Sequence, residues 1–222
     1  MSQEKINKET RNKKEPSLFC QGGAEVLLWR LEEEAPRLLA LCREAGIPVG
    51  ELETLLAKRQ RERAAELLLL CRAFGRPVAL GHTGQGVPVI EDSDVNISIS
   101  HTPRLVVLAW SEDRVIGIDA EQTDRQQVLR VRDKFLNDKE KQFVSPDDLA
   151  AHLLAWTAKE AVIKAERNSA LDWTEGICLE PFASPDGATR GTLAARCGDR
   201  RYRLSWCVTE GHCITLAEPE ND

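Results

Sequence analysis

A chain of 222 residues, 42% hydrophobic and 30% charged, has the make-up of a globular protein with room for one large domain or two small ones. No apolar run approaches the roughly 18 residues that cross a membrane, and the N-terminus lacks the apolar stretch of a signal peptide, so the expectation is a cytoplasmic protein with no membrane partner. The net charge of −6 argues against a general nucleic-acid binder.

The seven cysteines (Cys20, Cys42, Cys71, Cys178, Cys197, Cys207 and Cys213) are odd in number, contain no CxxC pair and sit mostly among apolar residues. They read as buried, reduced thiols in a reducing compartment. The four histidines show no metal-ligand spacing.

In chain order, residues 1–16 are polar and charged and read as a flexible tail. Residues 24–31 hold the apolar run Val26-Leu27-Leu28-Trp29 and predict a strand. Residues 32–45 predict a helix stopped by Gly46, and residues 49–74 a longer helical region stopped by Gly75. Residues 81–88, with three glycines and a proline, predict a loop. The alternation of Val95, Ile97 and Ile99 with Asn96, Ser98 and Ser100 predicts a half-buried strand. Residues 105–110 and 114–119 follow as two arms of an antiparallel hairpin. Residues 123–135 read as a helix, and a second, short one begins at 137–143 with Asn137 as N-cap. Residues 149–166 form the clearest helix of the chain, and 177–182, 191–196, 202–208 and 212–217 read as strands. Helices first and a meander after, on either side of about Gly117, predict an α+β fold of mainly antiparallel sheets packed by helices.

The chemistry-bearing residues lie in two acidic motifs. In Gly117-Ile118-Asp119-Ala120-Glu121 the carboxylates of Asp119 and Glu121 stand two apart on a strand and share a face. Such a pair is either a solvated strand end or a seat for a cation. In Trp156-Thr157-Ala158-Lys159-Glu160-Ala161-Val162-Ile163-Lys164, Glu160 and Lys164 are four apart on one helix face. Three carboxylates suit a hard cation such as Mg²⁺, and lysines suit phosphate. A basic cluster, Lys58-Arg59-Gln60-Arg61-Glu62-Arg63, stands out upstream.

Four segments in order, Ser100-His101-Thr102, GIDAEQ, FLNDKEKQF and WTAKEAVIKA, resemble the motifs of the surfactin-type 4′-phosphopantetheinyl transferase family over about Val95 to Ala165. The resemblance implies two similar α/β halves related by a pseudo-twofold, with a division at 17–117 (coenzyme A side) and 118–222 (metal and catalytic helix). It implies a Mg²⁺-dependent transfer of the phosphopantetheine arm of coenzyme A to a serine of an acyl or peptidyl carrier protein, the holo-[acyl-carrier-protein] synthase reaction, by a monomer. Asp119, Glu121 and Glu160 match the family's metal ligands, and Lys164 the lysine at the diphosphate and leaving group. His101 matches the contact to the 3′-phosphate of coenzyme A, Lys159 the first lysine of the helix motif, and Glu140 the glutamate that helps deprotonate the serine. Arg59 and Arg61 fall where the family has phosphate-contacting arginines.

Besides Ile97-Ser98 where the family's strand begins Phe-Asn, two departures stand out. Val87 replaces the lysine of the family's Gly-Lys-Pro loop, and Glu166-Arg167-Asn168-Ser169-Ala170-Leu171 holds no glycine where the family's turn has one. They keep open a non-catalytic relative that binds a carrier protein or nucleotide; the three carboxylates alone also fit another Mg²⁺-dependent phosphohydrolase.

Overall fold

The computed structural model describes residues 23–185 and 187–220; the tail expected at 1–16 and Cys20 lie outside them. The elements run β1 (Glu25–Arg30), α1 (Ala35–Glu44), a 3₁₀ turn (Leu52–Thr54), α2 (Ala57–Phe74), β2 (Leu80–His82), β3 (Pro88–Ile90), β4 (Asn96–Thr102), β5 (Leu105–Ser111) and β6 (Gly117–Gln122). There follow α3 (Gln127–Arg130), 3₁₀ turns at Arg132–Lys134 and Glu140–Gln142, α4 (Leu149–Glu166), β7 (Ile177–Leu179), β8 (Arg190–Cys197), β9 (Arg200–Thr209) and β10 (His212–Pro219). The fold is α+β, with every strand pair antiparallel: a sheet β1-β5-β4, a hairpin β2-β3, and a sheet β6-β10-β9-β8-β7.

Each large sheet carries an 18-residue helix, α2 on the first and α4 on the second. α2 ends where Gly75 takes φ 69, the left-handed conformation that glycine adopts without a Cβ penalty. α4 starts where the carboxylate of Asp148 accepts from the N–H of Ala151 at 2.9 Å. Leu69 and Leu70 of α2 pack in one core with Leu38, Val106 and Leu108; Leu154 and Val162 of α4 pack in another with Phe135, Ile177 and Leu204. A third apolar layer, with Leu105 and Val107 of β5, Ile118 of β6 and Ile214 and Leu216 of β10, packs the inner faces of the two sheets together. Each such side chain buried contributes about 1.5–3 kcal/mol, and the shared layer holds β4 beside β6.

Three expectations are corrected. Strands β5 and β6 do not form a hairpin: β5 is the centre of the first sheet, and β6 pairs with β10. Residues 81–88 are the turn of the β2-β3 hairpin, whose strands reach into the stretch read as loop. Of residues 123–135 one α-helical turn and one 3₁₀ turn are regular.

The polar face of β4 also differs from the half-buried reading, for Ser98 and Ser100 are buried. Their hydroxyls replace a backbone ladder between β4 and β6. Ile118 N–H donates to Ser98 Oγ at 2.9 Å and Ala120 N–H to Ser100 Oγ at 3.2 Å. The strand edges are thereby satisfied without direct pairing.

None of the six described cysteines is in a disulfide. Burial pushes Cys42 and Cys213 up to about 11, so both stay protonated and inert.

Candidate active site at the junction of β6 and α4

Gly117 opens β6 directly beneath α4. A Cβ there would sit 1.9 Å from the carbonyl oxygen of Ala161 and 2.6 Å from the nitrogen of Ala165. Only glycine lets the helix lie this close to the strand. The closeness brings Lys164 onto β6: its Nζ donates to Ile118 O at 2.9 Å and to Asp119 Oδ1 at 2.8 Å.

Asp119 is buried, and Ser100 Oγ–H donates to the same Oδ1 at 2.8 Å. Its carboxylate is therefore aimed by β4 of the first sheet and by α4. Glu121, two residues on, is half-buried and ion-pairs with Arg125, whose guanidinium also lies 5.3 Å from the ring centroid of Trp156.

Glu160 sits one helical turn before Lys164. Its carboxylate has no hydrogen-bond or ion-pair partner among the described residues. Burial, and then the charge of Asp119, raise its pKa above the ordinary carboxylate value; Lys164 and Arg125 oppose the shift. Glu160 thus feels Asp119, Lys164 and Arg125, and Glu121 joins this face through its ion pair with Arg125. An all-oxygen donor set with surplus negative charge fits a hard divalent cation of the Mg²⁺ type. No group of three such side chains is already gathered as a metal cluster among the described residues. Asp119 is turned to Ser100 and Lys164, and Glu121 to Arg125.

Glu140 and Lys159 are brought together elsewhere, in the core. Lys159 is 0% and Glu140 1% exposed, and Nζ donates to Glu140 Oε2 at 2.7 Å, Trp173 O at 2.6 Å and Ile177 O at 2.8 Å. Glu140 Oε2 also accepts from Asn137 N–H at 2.9 Å, and Oε1 from Leu179 N–H at 2.8 Å. Asn137 Oδ1 accepts in return from Glu140 N–H at 2.9 Å, a reciprocal cap at the start of the 3₁₀ turn. All three Lys159 protons and both Glu140 oxygens are engaged. A base must come within hydrogen-bond reach of the hydroxyl it deprotonates, and Glu140 as arranged offers no accessible oxygen.

His101, the residue after Ser100, faces the other way. Its half-exposed ring has Nε2 3.5 Å from Glu62 Oε2 and Nδ1 3.9 Å from Glu66 Oε1. Arg59 Nη1 lies 3.1 Å from Glu62, and Arg63 Nη1 3.0 Å from Glu66. Arg59 and Arg63 line a cavity of about 460 Å³ with Thr54 and His82. Arg61 is turned away, donating to Glu33 O at 2.9 Å and Leu31 O at 2.7 Å, where it ties α2 to the end of β1.

The sequence reading did not single out Ser100 as a partner of Asp119, nor Arg125, nor the buried pair Glu62 and Glu66. Of these only Glu62 and Glu66 carried a local signal, two acids four apart in a helix of arginines.

No curated protein matches the chain. Residues 115–217, from just ahead of β6 into β10, match the model of the 4′-phosphopantetheinyl transferase superfamily, a stretch that contains Asp119, Glu121, Glu140, Lys159, Glu160 and Lys164 and leaves out His101, Arg59 and Arg61.

Proposed function

We propose that this chain is a surfactin-type 4′-phosphopantetheinyl transferase that moves the phosphopantetheine arm of coenzyme A onto a serine of an acyl or peptidyl carrier protein and releases adenosine 3′,5′-bisphosphate. The observation that carries the reading is the convergence of Asp119, Glu160 and Lys164 at one strand-helix junction, inside the segment that matches the superfamily model. In this reading Asp119, Glu121 and Glu160 hold Mg²⁺. When bound, that ion supplies positive charge to the non-bridging oxygens of the diphosphate.

The side chains have separate tasks. Ser100 fixes the direction of the Asp119 carboxylate. Lys164, 28% exposed, keeps an ammonium where a departing phosphate oxygen can take a hydrogen bond or a proton from it. His101 and Arg59, on the first half, receive the 3′-phosphate of the nucleotide. Their neighbours Glu62 and Glu66 hold both in place while leaving His101 half-exposed. Glu140 and Lys159 act as positioning residues, joining α4 to the strand β7 and to the 3₁₀ turn at Glu140–Gln142. The reading includes residues 17–117 as the coenzyme A side, residues 118–222 as the metal side, and a monomer working in the cytoplasm. No helix among the described residues is long and apolar enough to cross a membrane.

The burial of Glu140 favours a second reading, a relative that binds carrier protein or nucleotide without turnover. The two separate in one experiment. Purified carrier proteins are mixed with the chain, coenzyme A and Mg²⁺, and intact masses are recorded. The transferase reading expects the phosphopantetheine mass increment, abolished by a chelator. Coenzyme A binding with no mass change on any carrier supports the second reading.

A further inference from the structure

α4 ends on an arginine in a conformation that side chains avoid. Arg167 has φ 55 and ψ 29, in the left-handed region where helices ordinarily place glycine or asparagine. The backbone bonds of this cap, from Arg167 N–H to Lys164 O and from Asn168 N–H to Ile163 O, would form equally well with glycine. A cation is favourable at a helix C-terminus, and that accounts for the charge. It does not account for an arginine at the left-handed position itself.

Arg167 lines a cavity of about 190 Å³ between the end of α4, β4 and the β2-β3 turn. Lys164, Asn168, Ser98 and Val87 line it too, and no carboxylate does. Lys164 is already engaged with Ile118 O and Asp119. Arg167 has a single side-chain partner among the described residues, Asn96 Oδ1, which takes one Nη2 proton. The rest of a planar, five-donor fork, the donor geometry that fits phosphate oxygens, is unengaged.

We propose that Arg167 is a phosphate-binding residue that, with Lys164, makes this cavity an anion seat for the nucleotide-linked substrate. The assignment rests on the coenzyme A reading above and adds a residue to it. Val87 brings no charge to the cavity, so Arg167 and Lys164 are the cations that line it. Strain held at a ligand-facing position is a recurrent feature of binding sites.

The test uses the full chain, with coenzyme A and inorganic pyrophosphate as probes in calorimetry and with thermal melts alongside. Arg167→Gly removes the cation and the strain together; Arg167→Gln removes the cation and keeps the strain. Both variants are expected to weaken coenzyme A binding roughly 10- to 100-fold, the scale of a lost charge-assisted hydrogen bond. Their melting temperatures should move apart, Arg167→Gly at or above wild type and Arg167→Gln at or below it. Unchanged affinity in Arg167→Gly, with wild type binding coenzyme A, overturns the role of Arg167 and leaves the transferase reading standing. Affinity that follows melting temperature rather than charge also overturns it. A wild-type chain that binds neither probe overturns both readings.

Discussion

Two lysines five residues apart on α4 end in opposite kinds of place. Lys159 is fully buried, spends its three protons on Glu140 and two carbonyls, and has its pKa lowered, by burial above all. Lys164 is 28% exposed and shares Asp119 with a serine, beside a glutamate that has no hydrogen-bond or ion-pair partner among the described residues. The first arrangement is closed: every donor and acceptor is used, and a substrate could bind only by breaking it. The second is open: Lys164 is partly exposed and Glu160 has no hydrogen-bond or ion-pair partner among the described residues. Burial and satisfaction separate a side chain that holds the fold from one that is available for chemistry, even when both stand in one nine-residue motif.

The largest effect is expected from breaking the closed pair. Lys159→Met leaves the Glu140 carboxylate buried without its counter-ion, which costs about 3–5 kcal/mol; urea denaturation measures it. The double variant Lys159→Met/Glu140→Leu should not recover the loss, because the N–H groups of Asn137 and Leu179 then lose their acceptor. A single variant as stable as wild type would end the distinction between the two lysines.

Next is Gly117→Ala. Its methyl group would meet helix backbone at 1.9 and 2.6 Å, so α4 itself must move. Overpacking of this kind costs about 1–3 kcal/mol, more where backbone is the obstacle. The displacement should also part Lys164 from Asp119, so the variant is expected to lose stability and any Mg²⁺-induced rise in melting temperature together. A variant that melts lower but keeps the full Mg²⁺ response would uncouple the close approach from the site.

A smaller effect concerns the seam between the sheets. His212 of β10 donates from Nδ1 to Glu210 O at 2.7 Å, which leaves Nε2 to accept from Thr102 Oγ of β4 at 2.9 Å. Burial, the main cause, lowers the pKa of His212 and that of the buried His152. The unfolded chain takes up protons near the ordinary value of about 6.5, which the fold resists. Stability is therefore complete above that value and falls as pH drops through it toward the depressed folded values. Denaturation midpoints from pH 7.5 to 5 should show this decline, and His212→Asn should make it shallower. A midpoint that rises on acidification would contradict the assigned tautomer.

What could be read in the sequence follows the range of the interactions. The long helix and the motif carboxylates are local patterns, and α4, β1, β4, β5, β8, β9 and β10 lie close to where the periodicity predicted, whereas β2 and β3 reach into the stretch read as loop and β6 begins at Gly117 rather than at 114. Misreadings arose where partners are distant. Adjacent strands pair by default, yet β5 and β6 part because Ser98 and Ser100 stitch β6 to β4 instead. Arg59 and Arg61 looked equivalent, but two residues turn a helix by about 200°, so one faces His101 and the other the end of β1. The burial of Glu140 is set by Lys159 and by the N–H of Leu179, 39 residues on; the Asn137-x-x-Glu140 spacing in FLNDKEKQF marks the cap but carries no sign of those distant partners.

The smallest change in stability should come with the most informative loss. Glu160→Gln removes a carboxylate whose charge is opposed by burial and by Asp119, and it breaks no hydrogen bond among the described residues. The variant should therefore melt within about 0.5 kcal/mol of wild type or above it, as a substitution that creates no cavity and orphans no polar group does. If the open cluster is a cation site, the same variant loses the Mg²⁺-induced rise in melting temperature and about 100-fold or more in transfer rate, the scale of removing one preorganised electrostatic group. Lys159→Met then fails by unfolding and Glu160→Gln fails while folded, and that contrast is the functional meaning of the two lysine environments. A Glu160→Gln chain that keeps its response to Mg²⁺ would remove Glu160 from the cation site and leave Asp119 and Glu121 as the carboxylates of that face.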